Sequence, residues 1–191
     1  MKKGRLEAFS DGVFAIIITI MVLELHVPHG DHLADLAPLA PVWFSYIMSF
    51  AIVGVYWNNH HHMIYAVERI NGAVLWANLH LLFWLSLMPW ATAWMGENHF
   101  SQWPVIVYGL VLVMNGLAYV ILCRLLIKEA GPGSALAAAL GRDWKGKLSL
   151  IVYVIAIGLA FVDARIALTL YVIVVLMWFI PDRRIEKKIA N

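Results

Sequence analysis

The sequence is poor in cysteine and in charged residues. Its one cysteine, Cys123, excludes an intrachain disulfide and any site built from several cysteine ligands. Charged residues make up 14% of the 191-residue chain, whereas a typical soluble domain has about a quarter. Hydrophobic residues make up 62% and form long blocks separated by short polar breaks. This composition predicts a polytopic helical membrane protein.

The sequence also lacks the motifs that would indicate an enzyme. It has no nucleotide-binding loop, no recognisable Ser–His–Asp arrangement and no zinc-binding motif. We therefore expect no catalytic residue, no resident metal or cofactor and no nucleic-acid partner. The expected surroundings are a lipid bilayer.

Six apolar segments predict an all-α fold of six transmembrane helices in a single domain, residues 1–191. The predicted spans are Arg5–Leu25, Val42–Trp57, Ala73–Met95, Trp103–Cys123, Leu148–Val162 and Ile166–Ile180. Pro89 should kink the third span, unless Ser86 or a neighbouring helix satisfies the carbonyl that proline leaves free. The connection from Ile127 to Lys147 contains Gly131-Pro132-Gly133 and an alanine-rich patch, which predicts a short surface helix.

The distribution of positive charge predicts the orientation. With both termini in the cytoplasm, Arg165 is the one member of the 14 lysines and arginines on the outer side. The inner set is Lys2, Lys3, Arg5, Arg69, Arg124, Lys128, Arg142, Lys145, Lys147, Arg183, Arg184, Lys187 and Lys188. The outer connections are acidic and hold Asp31, Asp35, Glu97 and Asp163. This bias predicts a multi-pass protein of the cell (inner) membrane with both termini cytoplasmic.

The first span carries charges that a lipid-facing helix would not tolerate. Between Asp11 and Glu24, the uncharged stretch Val13–Leu23 is about 16 Å long as a helix. A bilayer core is about 30 Å thick, so these charges should pair, face other helices or line a wet cavity. We therefore expect this helix to lie at the centre of an assembly.

The first span also begins with the motif Arg5-x-x-x-Phe9-Ser10-Asp11-Gly12. Arg5 and Asp11 could neutralise one another or a partner helix, and Ser10 adds a short hydrogen-bonding group. Gly12 would let a neighbouring backbone approach closely. Packing at the cytoplasmic end of a helical bundle is one interpretation, and it is compatible with a function in the same helix.

This octet resembles the RxxxFSDG hallmark of the transmembrane protein 175 family, which comprises lysosomal and bacterial potassium channels. Trp57 followed by His61-His62, and the segment Leu87-Met88-Pro89-Trp90, add weaker similarity. Family members lack the TVGYG filter of ordinary potassium channels, as this chain does. The resemblance implies a passive potassium-selective channel in which the first helix of each of four repeats lines the pore. A single repeat then implies a homotetramer, with K+ as the permeant ion.

The resemblance further implies a hydrophobic constriction formed by Ile16, Ile20 and Leu23, with Thr19 beside them. Helix geometry agrees, because the spacing i, i+4, i+7 places the three apolar residues on one stripe. Asp11 lies about 140° from Ile16 around the helix, so it should point away from the pore toward other helices. Without the motif, the isoleucine stripe alone would be interpreted as core packing.

Histidines form the second group of candidates. His61 and His62 match the family, which favours a structural or gating role at the inner interface. His80 lies within the third span near Asn78, and we expect it to form an interhelical hydrogen bond, to Ser10 or Asp11. The three-residue spacing of His26, His29 and His32 would suit a metal site, although Pro28 and Gly30 among them favour a solvated loop.

Three other functions remain open from the sequence. A proton channel would use Thr19 and chains of water. A metal carrier or membrane enzyme would use the histidines. A non-conducting scaffold would use the helices for assembly alone.

Overall fold

The computed structural model describes residues 3–131, 133–140 and 143–179, and within these ranges the chain has eight α-helices and one 3-10 helix. The helices are α1 (Lys3–Leu23), a 3-10 helix (Leu33–Leu39), α2 (Ala40–Tyr65), α3 (Gly72–Ser86), α4 (Met88–Glu97), α5 (Gln102–Ala130), α6 (Ala135–Leu140), α7 (Trp144–Ala160) and α8 (Ala164–Phe179). The predicted all-α membrane fold is confirmed.

Four helical segments of the described chain are long and apolar enough to cross a membrane: Lys3–Leu23, Leu33–Tyr65, Gly72–Glu97 and Gln102–Ala130. They correspond to the first four predicted spans. The fifth and sixth predicted spans correspond to α7 and α8, which are shorter helices of 17 and 16 residues. Ile180, the predicted end of the sixth span, lies outside the described residues. The count of six crossings therefore stays a prediction.

Two helices extend well beyond their predicted ends. The second span was expected to end at Trp57, but α2 continues to Tyr65 because His60, Met63 and Ile64 are buried against the rest of the bundle. The histidines His60–His62 thus lie on α2, not in a connection after it. Likewise α5 continues past Cys123 to Ala130, where Leu126 is fully buried. Tertiary packing extends these helices past the point where hydropathy alone would end them.

The third span is broken near Pro89, as predicted. α3 ends at Ser86 and α4 begins at Met88, which places Pro89 in the first turn of a new helix. Proline is well tolerated there because the first turn leaves its N–H groups without helical partners. The Ser86 hydroxyl donates to the Phe83 carbonyl at 2.7 Å and helps to end α3.

Close helix crossings depend on glycine at two positions. A Cβ atom on Gly96 of α4 would lie 2.9 Å from the Val42 backbone of α2. A Cβ atom on Gly109 of α5 would collide with the Tyr171 hydroxyl of α8. α5 packs against both α3 and α7, and α7 forms a hairpin with α8. These crossings surround a core that includes Leu81, Leu112 and Leu122.

Contacts between helix ends define one end of the bundle. The Lys3 ammonium donates to the Tyr65 carbonyl at 2.6 Å, so the start of α1 lies beside the end of α2. The Asn71 amide donates to the Glu129 carboxylate at 2.6 Å, which brings the start of α3 to the end of α5. The predicted inner charges of the described chain therefore gather at one end. Lys2, Arg142, Arg183, Arg184, Lys187 and Lys188 lie outside the described residues.

The predicted short helix in the connection after α5 is present as α6. Its Leu136 side chain is buried, so α6 is anchored to the bundle by an apolar contact. Pro132 of the preceding Gly-Pro-Gly segment lies outside the described residues.

Candidate pore-lining helix and its supporting network

α1 has two distinct faces. Its buried positions recur at intervals of three and four residues, the period of one helix face, and are Leu6, Ser10, Phe14, Ile17 and Met21. The opposite face is exposed and carries Arg5, Phe9, Gly12, Ile16, Thr19, Ile20 and Leu23. The exposed stripe contains every residue that the sequence assigned to the constriction.

The apolar side chains of this stripe are uncovered within one chain. Ile16 is 56% exposed, Ile20 is 40% exposed and Leu23 is 79% exposed. All three project on the same side of α1 as Arg5, which lies about 20° from Ile16 around the helix. The stripe is therefore free to face an axis or another copy of the chain.

Thr19 adds a polar atom to the apolar stripe. Its hydroxyl donates to the carbonyls of Ala15 and Ile16, each at 3.0 Å. Because the hydroxyl proton is used within the helix, the oxygen lone pairs are what Thr19 presents to its exposed side. Thr19 is thus suited to accept a hydrogen bond or to contact a cation.

Behind the stripe, a buried chain of hydrogen bonds joins α1, α2 and α3. The His60 Nε2 atom of α2 donates to Asn78 Oδ1 at 2.7 Å. Asn78 Nδ2 of α3 donates to the Ser10 hydroxyl at 3.0 Å, and Ser10 donates to the Leu6 carbonyl of α1 at 2.8 Å. All three side chains are buried. Since polar groups without partners are costly away from water, this network holds α1 against the other two helices.

Asp11 provides a second attachment of α1 to α2. The Trp57 Nε1 atom donates to Asp11 Oδ1 at 3.0 Å. Asp11 is half-buried and faces α2, as the helix geometry predicted. Of the partners that the sequence left open for Asp11, the structure shows a partner helix, α2, and not Arg5. Arg5 lies on the exposed stripe, and no ion pair joins it to Asp11 in the described part of the chain.

His61 extends this attachment toward the end of α2. Its Nδ1 atom lies 3.5 Å from Glu7 Oε1 of α1, and its ring stacks on Trp57 at a centroid distance of 6.2 Å. His62 contacts the edge of the His61 ring at 5.7 Å. His61 therefore contributes to packing between α1 and α2 on the side away from the exposed stripe, and His62 supports the His61 ring from within α2.

The prediction for His80 was wrong. Its Nε2 atom accepts a hydrogen bond from Trp84 Nε1 at 2.9 Å, one turn along the same helix. Asn78 forms the bond to Ser10 in its place, because residues two apart on a helix point to nearly opposite sides. His60 was not among the predicted site residues. The spacing of Val53, His60 and Ile64, seven and four positions apart, places His60 on one helix face with two apolar residues, all three of which are buried. This spacing is the sequence pattern that could have identified His60.

Gly12 does not mediate a close approach between the described helices. Among the described residues, no atom lies within 4 Å of the position that a Cβ atom would occupy there. Gly12 belongs to the exposed stripe.

The outer histidines do not converge on one point. His26 Nε2 lies 3.9 Å from Glu97 Oε1 at the end of α4, whereas His32 Nε2 lies 3.4 Å from Asp31 in its own loop. Within residues 3–131, 133–140 and 143–179, no group of three or more histidine, cysteine, aspartate or glutamate side chains could hold a metal ion.

A family model and several named proteins match this chain. Residues 5–89 match the family model described as the endosomal/lysosomal potassium channel TMEM175. A potassium channel of Chryseobacterium sp. (strain P1-3) is 54% identical over 191 residues, which is 100% of both chains. The human endosomal/lysosomal proton channel TMEM175 is 33% identical over 103 residues, which is 48% of this chain and 20% of the human protein.

A solved structure is similar along almost the whole chain. The crystal structure of a lysosomal potassium-selective channel TMEM175 homologue from Chamaesiphon minutus superimposes with a TM-score of 0.74 at 27% identity. The match covers 92% of this chain and 95% of that one. The relative that matches over the whole of both chains, the matching family model and this superposition show that the chain belongs to the TMEM175 family.

Proposed function

We propose that this protein is a passive potassium-selective channel of the cell (inner) membrane, with a hydrophobic constriction formed by α1. The observation that carries the proposal is the stripe of Ile16, Ile20 and Leu23, which is exposed within one chain although its helix is anchored from behind. The bacterial relatives are named as potassium channels, and these names support the same function.

A single copy of α1 cannot enclose a pore, so the proposed unit is a homotetramer with four α1 helices around the axis. In this assembly the exposed stripes meet, and the branched isoleucine at position 16 gives a stiff bottleneck because its χ1 angle is restricted in a helix. The buried Ser10–Asn78–His60 chain and the Asp11–Trp57 bond lie on the far side of α1. They fix the distance of α1 from the axis.

Selectivity in this proposal comes from dehydration at a narrow apolar ring. Potassium releases its water more easily than sodium, so an apolar passage favours potassium, and Thr19 oxygens replace part of the lost hydration. Asp31 and Asp35 lie between α1 and α2, and Glu97 ends α4, so in the proposed orientation these carboxylates concentrate cations near the outer mouth. The positive charges at the opposite end support cytoplasmic termini.

The decisive experiment is ion flux from liposomes that contain the purified protein. A potassium gradient should drive flux that is larger than the flux under an equal sodium gradient. Absence of flux for either ion, in a preparation shown to be assembled, would favour the scaffold function. Equal flux of both ions would show that the channel does not select potassium over sodium.

Proton conduction is the second candidate, because the human relative is named a proton channel. The reversal potential in a voltage-clamped bilayer distinguishes the two functions when the potassium gradient and the pH gradient run in opposite directions. A potassium channel has a reversal potential that follows the potassium gradient, whereas a proton channel follows the pH gradient. Replacing His26, His29 and His32 together should leave either channel activity intact and would abolish a histidine-dependent metal carrier.

A further inference from the structure

The end of the bundle that is outside in the proposed orientation carries four exposed histidines. They are His26, His29, His32 and His99. His26 follows α1, and its Nε2 atom lies 3.9 Å from Oε1 of Glu97 at the end of α4. The ring of Phe44 in α2 meets the edge of the Phe100 ring at a centroid distance of 5.8 Å, so the start of α2 also reaches the turn that holds His99. The four histidines therefore share one end of the molecule.

Carboxylates lie beside these histidines. His32 Nε2 lies 3.4 Å from Asp31 Oδ1, and the His32 backbone N–H donates to the Asp35 carboxylate at 3.0 Å. His29 is two residues from Asp31, and His99 is two residues from Glu97. A positive charge on any of the four histidines would therefore offset the charge of a nearby carboxylate.

The outer end has a net negative charge that the histidines can cancel. Residues 24–39, 97–101 and 161–165 hold five carboxylates and one guanidinium, and the first turns of α2 and α5 bring no charged residue to this end. The charged residues are Glu24, Asp31, Asp35, Glu97, Asp163 and Arg165. The net charge is −4 with neutral histidines and zero with four protonated ones. Histidine gains its proton between about pH 8 and pH 5, whereas a solvated carboxylate stays ionised until about pH 5.

We propose that the four outer histidines reduce cation entry when the outer solution becomes acidic. This regulation rests on the proposed channel function. The proposed tetramer repeats the count four times, so acid removes a large negative charge from the outer mouth. A negative mouth raises the local concentration of cations, and its loss lowers the current that enters from outside. The Ile16 constriction is unaltered, so the preference for potassium over sodium should stay the same.

The first test measures inward potassium current through the purified protein in a voltage-clamped bilayer, at an outer pH of about 7.5 and of about 5.5. Charges act over a Debye length of about 30 Å at about 10 mM salt and of about 3 Å at about 1 M. Acid should lower the current about threefold at the lower salt concentration and should change it little at the higher one. An equal fall at both concentrations, or a current that rises with acidity, would overturn the proposal.

Histidine variants locate the effect. Four substitutions are combined in one chain: His26→Gln, His29→Gln, His32→Gln and His99→Gln. Glutamine is polar and stays neutral, so this variant should match the unmodified chain at about pH 7.5 and should lose the fall at about pH 5.5. His62→Gln, near the opposite end of α2, is the control and should keep the fall. A fall of unchanged size in the quadruple variant would overturn the proposal.

A carboxylate variant produces the less negative mouth without acid and covers the case in which the quadruple variant does not fold. Asp31→Asn and Glu97→Gln together remove two exposed carboxylates from each chain. At about 10 mM salt and about pH 7.5, the inward current should be lower than in the unmodified chain. An undiminished current would overturn the proposal. If the unmodified chain carries no current at either pH, the channel function is wrong and the regulation with it, whereas a current that acid leaves unchanged contradicts the regulation alone.

Discussion

The Asn78 amide nitrogen lies 3.0 Å from the Ser10 hydroxyl, and this bond ties the buried face of α1 to α3. Ile16, on the opposite face of α1, is exposed. A change at Asn78 therefore acts on the exposed stripe through the position of the helix.

Asn78→Leu should lower the thermal unfolding midpoint. The substitution leaves the His60 Nε2–H group without its acceptor, and a buried group left unpaired costs about 1–3 kcal/mol. The Ser10 hydroxyl loses the bond that it accepts from Asn78 and keeps the bond that it donates to the Leu6 carbonyl. The measurement is thermal unfolding of the purified protein in detergent. An unchanged midpoint would show that the three-helix network contributes nothing to stability.

Asn115→Leu, a matched control on α5, should leave the midpoint unchanged or raise it. Asn115 is also fully buried, but neither polar atom of its side chain has a hydrogen-bond partner among the described residues. Replacing an unpaired buried amide by an apolar group of similar shape removes a desolvation cost. A loss of stability as large as that of Asn78→Leu would mean that Asn115 has a polar partner in the assembled protein.

Asp11→Ala should impair folding or tetramer assembly before it changes selectivity. The carboxylate accepts from Trp57 on the side away from the stripe, and its loss removes one of the contacts that hold α1 against α2. Size-exclusion chromatography with light scattering measures the assembled fraction. Trp57→Phe keeps an aromatic ring and removes the donor, so the two substitutions together should cost less than the sum of their separate effects. Normal assembly with altered selectivity would make Asp11 an ion site.

Ile16→Asn should raise conductance and lower the preference for potassium over sodium. The amide offers donors and acceptors to water, so it wets a ring that excludes water when apolar. Potassium and sodium flux are measured in the same liposomes. Ile173→Asn on α8, at a position 53% exposed, is the control for an amide on an apolar surface. Unchanged selectivity in an assembled Ile16→Asn channel would mean that Ile16 does not set the selectivity, and Thr19 would become the leading candidate.

Ile20→Cys should form a crosslink between subunits in a Cys123→Ser background. A disulfide requires Cα atoms within about 7 Å, so crosslinking reports a narrow axis. The product is a dimer band on a non-reducing gel. Val154→Cys, on the exposed side of α7, is the control and should stay monomeric. A monomeric particle in both detergent and lipid would contradict the tetramer.

Helical periodicity groups the residues of α1 by face, but the resemblance to the family motif was needed to assign the Ile16 stripe to the pore and not to the core. The period of 3.6 residues places Ile16, Ile20 and Leu23 together and turns Asp11 away, and no knowledge of neighbouring helices is needed. The break near Pro89 was also predictable, because proline lacks the N–H group that would continue the helix. These features depend on residues that are near one another in the chain.

The partners of α1 could not be predicted, because they depend on how separate helices rotate against one another. Trp57 and His60 lie about 50 residues from Asp11 and Ser10 in sequence, and their contacts require α2 to continue past its apolar part. The choice between Asn78 and His80 depended on the rotation of α3. Hydropathy predicts neither how far α2 continues past its apolar part nor how α3 is rotated against α1.

The orientation of the Thr19 hydroxyl distinguishes the transport of an ion from the relay of a proton. A relay through hydrogen-bonded water requires each link to give up one proton and receive another, so the link must rotate once per passage. The Thr19 proton is held by backbone carbonyls at 3.0 Å, and rotation would break those bonds each time. A metal cation needs only the oxygen lone pairs and passes with the hydroxyl at rest.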